Sequence, residues 1–471
     1  MALWIEWFRC IHTLRSACSR HATFLWMALV LTAMAIRPDL LGVTSFVRAA
    51  FLDSSCYHRL LHFFHSPALS LPSLLRVWIK LVMTLFDPVM EGRYVVFVAD
   101  GLKVSKEGKK MPAVKSLHQE SANNSKSEYI MGHSFQAISL LVRSPVGHVF
   151  AVPLISRICE GLIWNHSHNP KSLLDKLVIL FLEVVQVAEV PALLVADAYY
   201  ASRKVIEPLL RRGDHLVTRA RINSVVYKPA GVRKKKRGRG RPRKYGEKVH
   251  LRNLFKGWQG FAEAKSPVYG EENITIKYHA VNLMWRPVGK IVRFVLVKHP
   301  SRGRIILLST MLDIDPLKVI EIYGLRFKIE VSFKQAIHTI GTYGYHFWMR
   351  DMKPIKRGSG NQNISRAEKQ YKTDVRRKVA AYHRYVQLGC IAQGLLQHLA
   401  INHRIIVWRT FRSWLRTMRP DLTPSEMVIA HALRSSFPDF LLNTDSEPDL
   451  TKFILEHAAY DRIPGFLMMS G

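Results

Sequence analysis

Apolar positions in residues 1–90 recur at helical spacings, broken at Arg37-Pro38-Asp39, Ser66-Pro67 and Ser70-Leu71-Pro72, with no strand-like alternation. This predicts an all-helical N-terminal domain. From Arg93 the texture changes. Tyr94-Val95-Val96-Phe97-Val98-Ala99 is a short aromatic and β-branched run that ends at Asp100-Gly101, the pattern of a buried strand stopping at an acid. Two further strands are predicted at His133 to Val142 and His148 to Ile158, joined by Arg143-Ser144-Pro145-Val146-Gly147, a turn composition suited to an antiparallel connection. A helix from about Pro170 to Glu189 leads to a fourth strand, Pro191 to Ala196, which again stops at an acid, Asp197. Ala201 to Arg212 reads as helix and His215 to Ala220 as a fifth strand.

Beyond Ala220 the pattern predicts a solvated basic loop over Arg221 to Gly260, then apolar alternation in Ile274 to Val281, Ile291 to Val297 and Arg304 to Ser309. A periodic helix is expected from Asp315 to Ile340, and a basic helical region with one long helix ending near Ala400 closes the chain. The expected organisation is a helical domain at 1–90, an α/β core at 91–220, a basic β-rich insertion at 221–312, a core helix at 313–345 and a helical region at 346–471.

Composition narrows the partners. The 471 residues hold 69 Lys and Arg against 35 Asp and Glu, a formal net charge of +34. With 48% apolar and 22% charged residues, the chain is no disordered basic tail, and its length suits two to four folded units. Such an excess asks for a polyanion, nucleic acid or an anionic membrane surface. The uncharged run Ala22 to Ile36 is fifteen residues, short of the roughly 20 needed to span a bilayer. A signal-peptide reading rests on Arg9, Arg15 and Arg20 before that run and on Ala33-Met34-Ala35 as a cleavage site. Trp4, Ile5, Trp7 and Phe8 in the preceding segment speak against it, and five scattered cysteines (Cys10, Cys18, Cys56, Cys159, Cys390) form no disulfide framework. The expectation is a reducing cytoplasm and no membrane. The charge is also placed: residues 221–260 carry fourteen Lys or Arg against the single acid Glu247, whereas residues 1–90 carry eight against four.

The two strand-terminal aspartates, Asp100 and Asp197, are expected side by side at the carboxyl end of a mixed sheet, where such sheets bind ligands. A lone strand-end aspartate is more often a turn or a cap. Paired hard oxygens suit Mg²⁺ or Mn²⁺. A third carboxylate would complete a two-ion site for phosphodiester chemistry. The helix at 315–340 offers Glu330, with Tyr323, Arg326 and Lys334 at offsets that put all four on one face. Glu330 would ligate metal, Arg326 and Lys334 would hold phosphate oxygens, and Tyr323 would bond a phosphate or orient Glu330.

At these residues the chain resembles a known family. Tyr-x-x-Arg-x-x-x-Glu at 323–330, Asp100, Asp197, and the segments Gly108 to Pro112 and Tyr129 to His133 are similar to the DDE transposases of bacterial insertion sequences, in the cut-and-paste subgroup with a Tyr-Arg-Glu-Lys signature. The resemblance covers roughly residues 90 to 345, and more weakly the helical N-terminal region. It implies an RNase H-like core interrupted by a β-rich insertion, with two Mg²⁺ or Mn²⁺ ions held by Asp100, Asp197 and Glu330. It further implies double-stranded DNA partners (element ends and target), a homodimer in a synaptic complex and a nucleoid-associated protein of the bacterial cytoplasm. By resemblance and charge, the N-terminal domain would read the terminal inverted repeats. The chain departs from the signature at one place: the lysine expected seven residues after the glutamate is Ile337, while Lys334 lies at the fourth. That leaves hairpin formation at the element end open. An RNase H-like nuclease that does not transpose and a catalytically dead DNA-binding repressor are the alternatives.

Three lesser features carry double readings. Arg239-Gly240-Arg241-Pro242, flanked by Lys235 and Arg237, is either an AT-hook that enters the minor groove or, the slightly favoured reading, a basic loop that touches phosphates. Trp258 and Trp285 are either base-stacking side chains near the cleaved end or core. Cys56, His58, His62 and His65 are either a metal cluster or a histidine-bearing helix that faces DNA, and no second ligand pair follows them.

Overall fold

The computed structural model describes residues 1–119, 127–165, 171–230, 243–256, 260–414, 416–442 and 448–464. Lys235, Arg237, Arg239, Arg241 and Trp258 lie outside the described residues.

The sheet is organised by two short parallel strands that are buried on both faces. β1 (Tyr94–Ser105) and β4 (Ala192–Ala196) pair from Val95 with Ala192 to Ala99 with Ala196. Side chains alternate across a strand, and both sets here are apolar. Val95, Phe97 and Ala99 face a large core shared with α6 (Leu173–Ala188), where Phe97 meets Phe181 edge-on. Val96 and Val98 face a second core built with Leu193, Val195 and the helices that follow residue 315. A run without polar alternation is what such two-sided burial requires.

β2 (Tyr129–Arg143) lies antiparallel to β1, and β3 (Val149–Ile158) antiparallel to β2, closed by the Ser144 to Gly147 turn. On the other side β5 (His215–Ala220) runs parallel to β4. The basic segment is not only loop: its described flanks form β6 (Val225–Pro229) and β7 (Tyr245–His250), an antiparallel pair. β8 (Thr275–Trp285), β9 (Lys290–His299) and β10 (Gly303–Ser309) follow, and β10 pairs with β5. The strand order is therefore β7-β6-β8-β9-β10-β5-β4-β1-β2-β3, so the strands of 221–312 extend the central sheet.

Asp315 caps α8 (Pro316–Gly324), accepting from Leu317 N–H (2.8 Å) and Lys318 N–H (3.2 Å). The expected single helix from 315 to 340 is interrupted. It bends at Leu325-Arg326, resumes as α9 (Phe327–Gln335) and ends in a π-turn over Ala336–Ile340. Gly324 marks the break. A Cβ there would stand 3.1 Å from Val268, and glycine is a poor helix former.

The helices at the two ends of the chain share one core. α1 (Ala2–His12), α2 (His21–Ile36), α3 (Thr44–Ala49), α4 (Cys56–His65) and α5 (Leu71–Leu85) pack with α10 (Lys369–Asn402), α11 (Arg404–Thr410), α12 (Glu426–Leu442) and α13 (Pro448–Leu455). α2 holds the uncharged run and lies against α10, α12 and α13; its apolarity on every side is that of a buried helix. No helix among the described residues is long and apolar enough to cross a membrane.

Arg37 joins this helical body to the end of the α9 segment. It is 1% exposed, donates from Nε to Ile340 O (3.1 Å), also contacts that oxygen through Nη2, and from Nη1 reaches Ser45 Oγ (2.9 Å) and Tyr385 OH (3.2 Å). The next residue, Gly341, has φ +67°, and a Cβ there would collide with Arg37 Nη2 at 2.2 Å. Removing a buried guanidinium leaves those acceptors unsatisfied. Arg37→Ala is expected to lower stability by about 3 kcal/mol, read from the urea midpoint. A midpoint unchanged from wild type would show that this joint is not needed.

Candidate active site

The register of the parallel pair places the two aspartates. The last paired residues are Ala99 and Ala196, so Asp100 and Asp197 are the next positions on adjacent strands. β1 does not stop at Asp100; it continues to Ser105 against β2, with Asp100 opposite Ala137. Only its parallel ladder ends there. Asp197 leaves the sheet and starts a short turn over Ala198–Tyr200, accepting from Ala198 N–H, while its own carbonyl accepts from Thr218 Oγ1 (2.8 Å).

Arg326, at the helix break, draws the third acid in. Its Nη1 donates to Asp100 Oδ2 (3.0 Å) and its Nη2 to Glu330 Oε1 (2.6 Å), one turn on in α9. Asp100 also accepts from Gly101 N–H through Oδ1 (2.7 Å). Burial pushes the Asp100 carboxyl up to about 6; Arg326 and the Gly101 amide oppose this, and Asp197 and Glu330 add to it. Burial acts to lower the Arg326 guanidinium, but Asp100 and Glu330 outweigh it and raise the group above its ordinary value. Burial also raises the Tyr323 phenol, which has Arg326, Asp197 and Arg219 around it.

The structure therefore brings together Asp100, Asp197, Glu330, Arg326 and Tyr323. Lys334 is exposed one turn beyond Glu330 on α9. Ile337 is half-buried against the main core and belongs to the packed side of the helix. Trp285 is 7% exposed and packs in the core, so it presents no free ring to a base. The residues of the proposed histidine cluster do not converge. Cys56 is buried with Sγ near His457 O, His58 and His62 are exposed, and His65 contacts Leu61 O and Lys378 Nζ.

Sequence reasoning missed the floor of the site. Tyr200 OH donates to Gln136 Oε1 (2.7 Å), buried beside Asp100, and Gln136 lies opposite Gly101 across the β1–β2 ladder. Arg219, exposed on β5, adds a cation next to Tyr323. Nothing local singles these residues out, because each gains its position through strand register. Of the acids, Glu330 is exposed, and Asp100 and Asp197 are partly buried. A cleft of about 720 Å³ to one side is lined by Ser105 to Lys109, Tyr129 and Arg357, and by none of the three.

The donor set fits a divalent cation. Asp100 and Glu330 meet on one guanidinium and Asp197 lies beside Asp100, three hard-oxygen donors of the kind that Mg²⁺ or Mn²⁺ takes. Residues 170–339 match the family model of the transposase DDE domain. That span contains Asp197, Tyr323, Arg326 and Glu330 and begins after Asp100. The match supports a DDE transposase family and, in general terms, transposase function. No curated protein matches the chain.

The electrostatics of Asp100 set a pH dependence. Its folded value lies above that of an unfolded aspartate, so the native state binds the proton more tightly and stability falls as pH rises from about 4 to about 6, remaining low above that. In metal-free buffer Asp100→Asn should exceed wild type by about 2 kcal/mol at pH 8 and lose that advantage near pH 4. Urea midpoints across that range measure this, and a variant no more stable than wild type at pH 8 contradicts it.

Proposed function

We propose that this chain is a transposase that binds the ends of a mobile DNA element, cleaves there and transfers the freed 3′ ends into target DNA. The observation that carries the reading is the Arg326 clasp, which holds Glu330 and Asp100 at one point beside Asp197. The matching transposase DDE model over residues 170–339 supports it independently. The mixed sheet, with both aspartates just past the parallel ladder, supports the RNase H-like core that the resemblance implies.

In this reading Asp100, Asp197 and Glu330 hold Mg²⁺ or Mn²⁺, which when bound supplies Lewis acidity and charge neutralisation at the scissile phosphate. The remaining work falls to the chain's own groups. Arg326 orients Asp100 and Glu330 and neutralises part of their charge before substrate arrives. Lys334, exposed on the Glu330 face, holds a non-bridging phosphate oxygen, and Tyr323 steadies the strand by a hydrogen bond from its phenol. Ile337 supplies no charge.

The bonds exchanged are simple. Water attacks the phosphorus at the element end, the P–O3′ bond breaks, and a 3′ hydroxyl and a 5′ phosphate result. That hydroxyl then attacks a target phosphodiester, forming a new P–O3′ bond and releasing a target 3′ hydroxyl. The strongly basic stretch in residues 221–260 is the DNA track that holds both duplexes. Synapsis of two element ends calls for a dimer.

The test is an assay with end-containing DNA and Mg²⁺. Asp100→Asn, Asp197→Asn and Glu330→Gln should each reduce cleavage at least about 10³-fold while end binding stays within a few-fold of wild type. Wild-type protein should give strand-transfer products. Hydrolysis alone would indicate a nuclease that does not transpose, and binding without cleavage a DNA-binding repressor. A single carboxylate variant that cleaves normally removes that residue from the site.

A further inference from the structure

A second group of ligand-type side chains lies where the first helix meets the end of α10. Glu6 is on α1, His398 is in the last turns of α10, and His403 sits between α10 and α11. His398 Nε2 is 2.6 Å from Glu6 Oε1, and His403 Nε2 is 3.9 Å from the same oxygen. One donor atom from each residue lies within 4.8 Å of the other two, and no other such trio occurs among the described residues. The side chains are 13%, 6% and 28% exposed, in the order Glu6, His398, His403.

A hydrogen bond accounts for one edge of this triangle, between His398 and Glu6. It does not account for His403, whose nitrogen faces Glu6 from beyond hydrogen-bonding distance. Cys10 Sγ donates to Glu6 Oε1 at 3.5 Å and is not one of the three converging donors. Arg9 holds Glu6 from the solvent side, with Nη2 to Oε1 at 2.6 Å and Nε to Oε2 at 2.7 Å. Its side chain is 62% exposed and free to turn into water.

We propose that Glu6, His398 and His403 form a zinc site, with water as the fourth ligand. Two imidazole nitrogens and one carboxylate oxygen are a zinc donor set. Bonds of about 2.0–2.2 Å in a tetrahedron put donor atoms roughly 3.4 Å apart. The observed 2.6 and 3.9 Å straddle that spacing, so small side-chain movements suffice. On binding, the single N–H proton of the neutral His398 imidazole passes through solvent from Nε2 to Nδ1, which frees the Nε2 lone pair for the ion. Asn402, whose amide is 2.8 Å from His398 Nδ1, then turns to accept the Nδ1–H and fix that tautomer. The ion fastens the first helix to the C-terminal helices, residues 392 apart in the chain.

The experiment uses full-length protein carrying Asp100→Asn, Asp197→Asn and Glu330→Gln, so that the proposed active site does not compete for metal. Zinc content after dialysis, calorimetric titration with Zn²⁺ and thermal melting are measured with and without His403→Ala. The expected result is one equivalent of zinc bound with Kd of about 1 µM or tighter and a raised melting temperature. His403→Ala should weaken binding at least about 10-fold and leave the zinc-free melting temperature near that of the parent. Glu6→Gln, which keeps a hydrogen bond to His398, serves as a second variant should His403→Ala fold poorly, and should weaken zinc comparably. No uptake by the parent, or equal uptake by parent and variant, overturns the proposal whatever the DNA assays show.

Discussion

Arg326 lies between two carboxylates, one on the central strand β1 and one a turn further along its own helical segment, and the candidate site depends on that one cation. Asp100 is a largely buried acid whose ionised form is disfavoured by desolvation and by two neighbouring carboxylates. Without a guanidinium within hydrogen-bonding reach, the site would hold protonated acids or open to water. The fork geometry of arginine, with two donors aimed in different directions, binds both partners at once, which a lysine ammonium would not do with the same fixed spacing.

Much of the surrounding architecture places that fork. Leu325 and Ile329 pack into the second core beside Val96 and Val98, so one stripe of α8–α9 is held to the sheet while Arg326 and Glu330 stay at its open edge. At the break between the two helices, the Arg326 guanidinium reaches Asp100 at the end of the parallel ladder. The far end of the same segment is anchored by Arg37 at Ile340, and its middle by Gln393 Nε2, which donates to Ser332 O (3.0 Å) and Oγ (3.1 Å). The site is thus tied into the helical body that both ends of the chain build.

The periodicity of the chain was a sound guide where an element's burial is uniform along its length. β4 and the first half of β1 are buried on both faces and read as uninterrupted apolar runs, and α6 and α7 (Arg203–Arg212) begin at serines that act as N-caps. It misled where neighbours decide. The extension of β1 past Asp100 depends on β2 alone, because β4 has already turned away. The bend in the 315–340 helix depends on packing at Gly324, and the pairing of β6 with β7 on strands brought together across the basic segment. For Trp285 the core reading is the one that holds: extension of the sheet buries it.

For the site, the types of its main residues and their order along the chain could be read without coordinates. Two acids follow apolar runs, and the tyrosine, arginine and glutamate of the third segment are spaced for one helical face, both of which are local patterns. The basic stretch at residues 221–260 is legible by the same local argument. Convergence could not be read this way. That Arg326 bonds Asp100 across 226 residues, that Tyr200 and Gln136 lie under the acids, and that Glu6 meets His398 and His403 are facts of register and helix packing. Local sequence sets which face a side chain occupies, whereas the partner on that face is chosen by burial of the whole core.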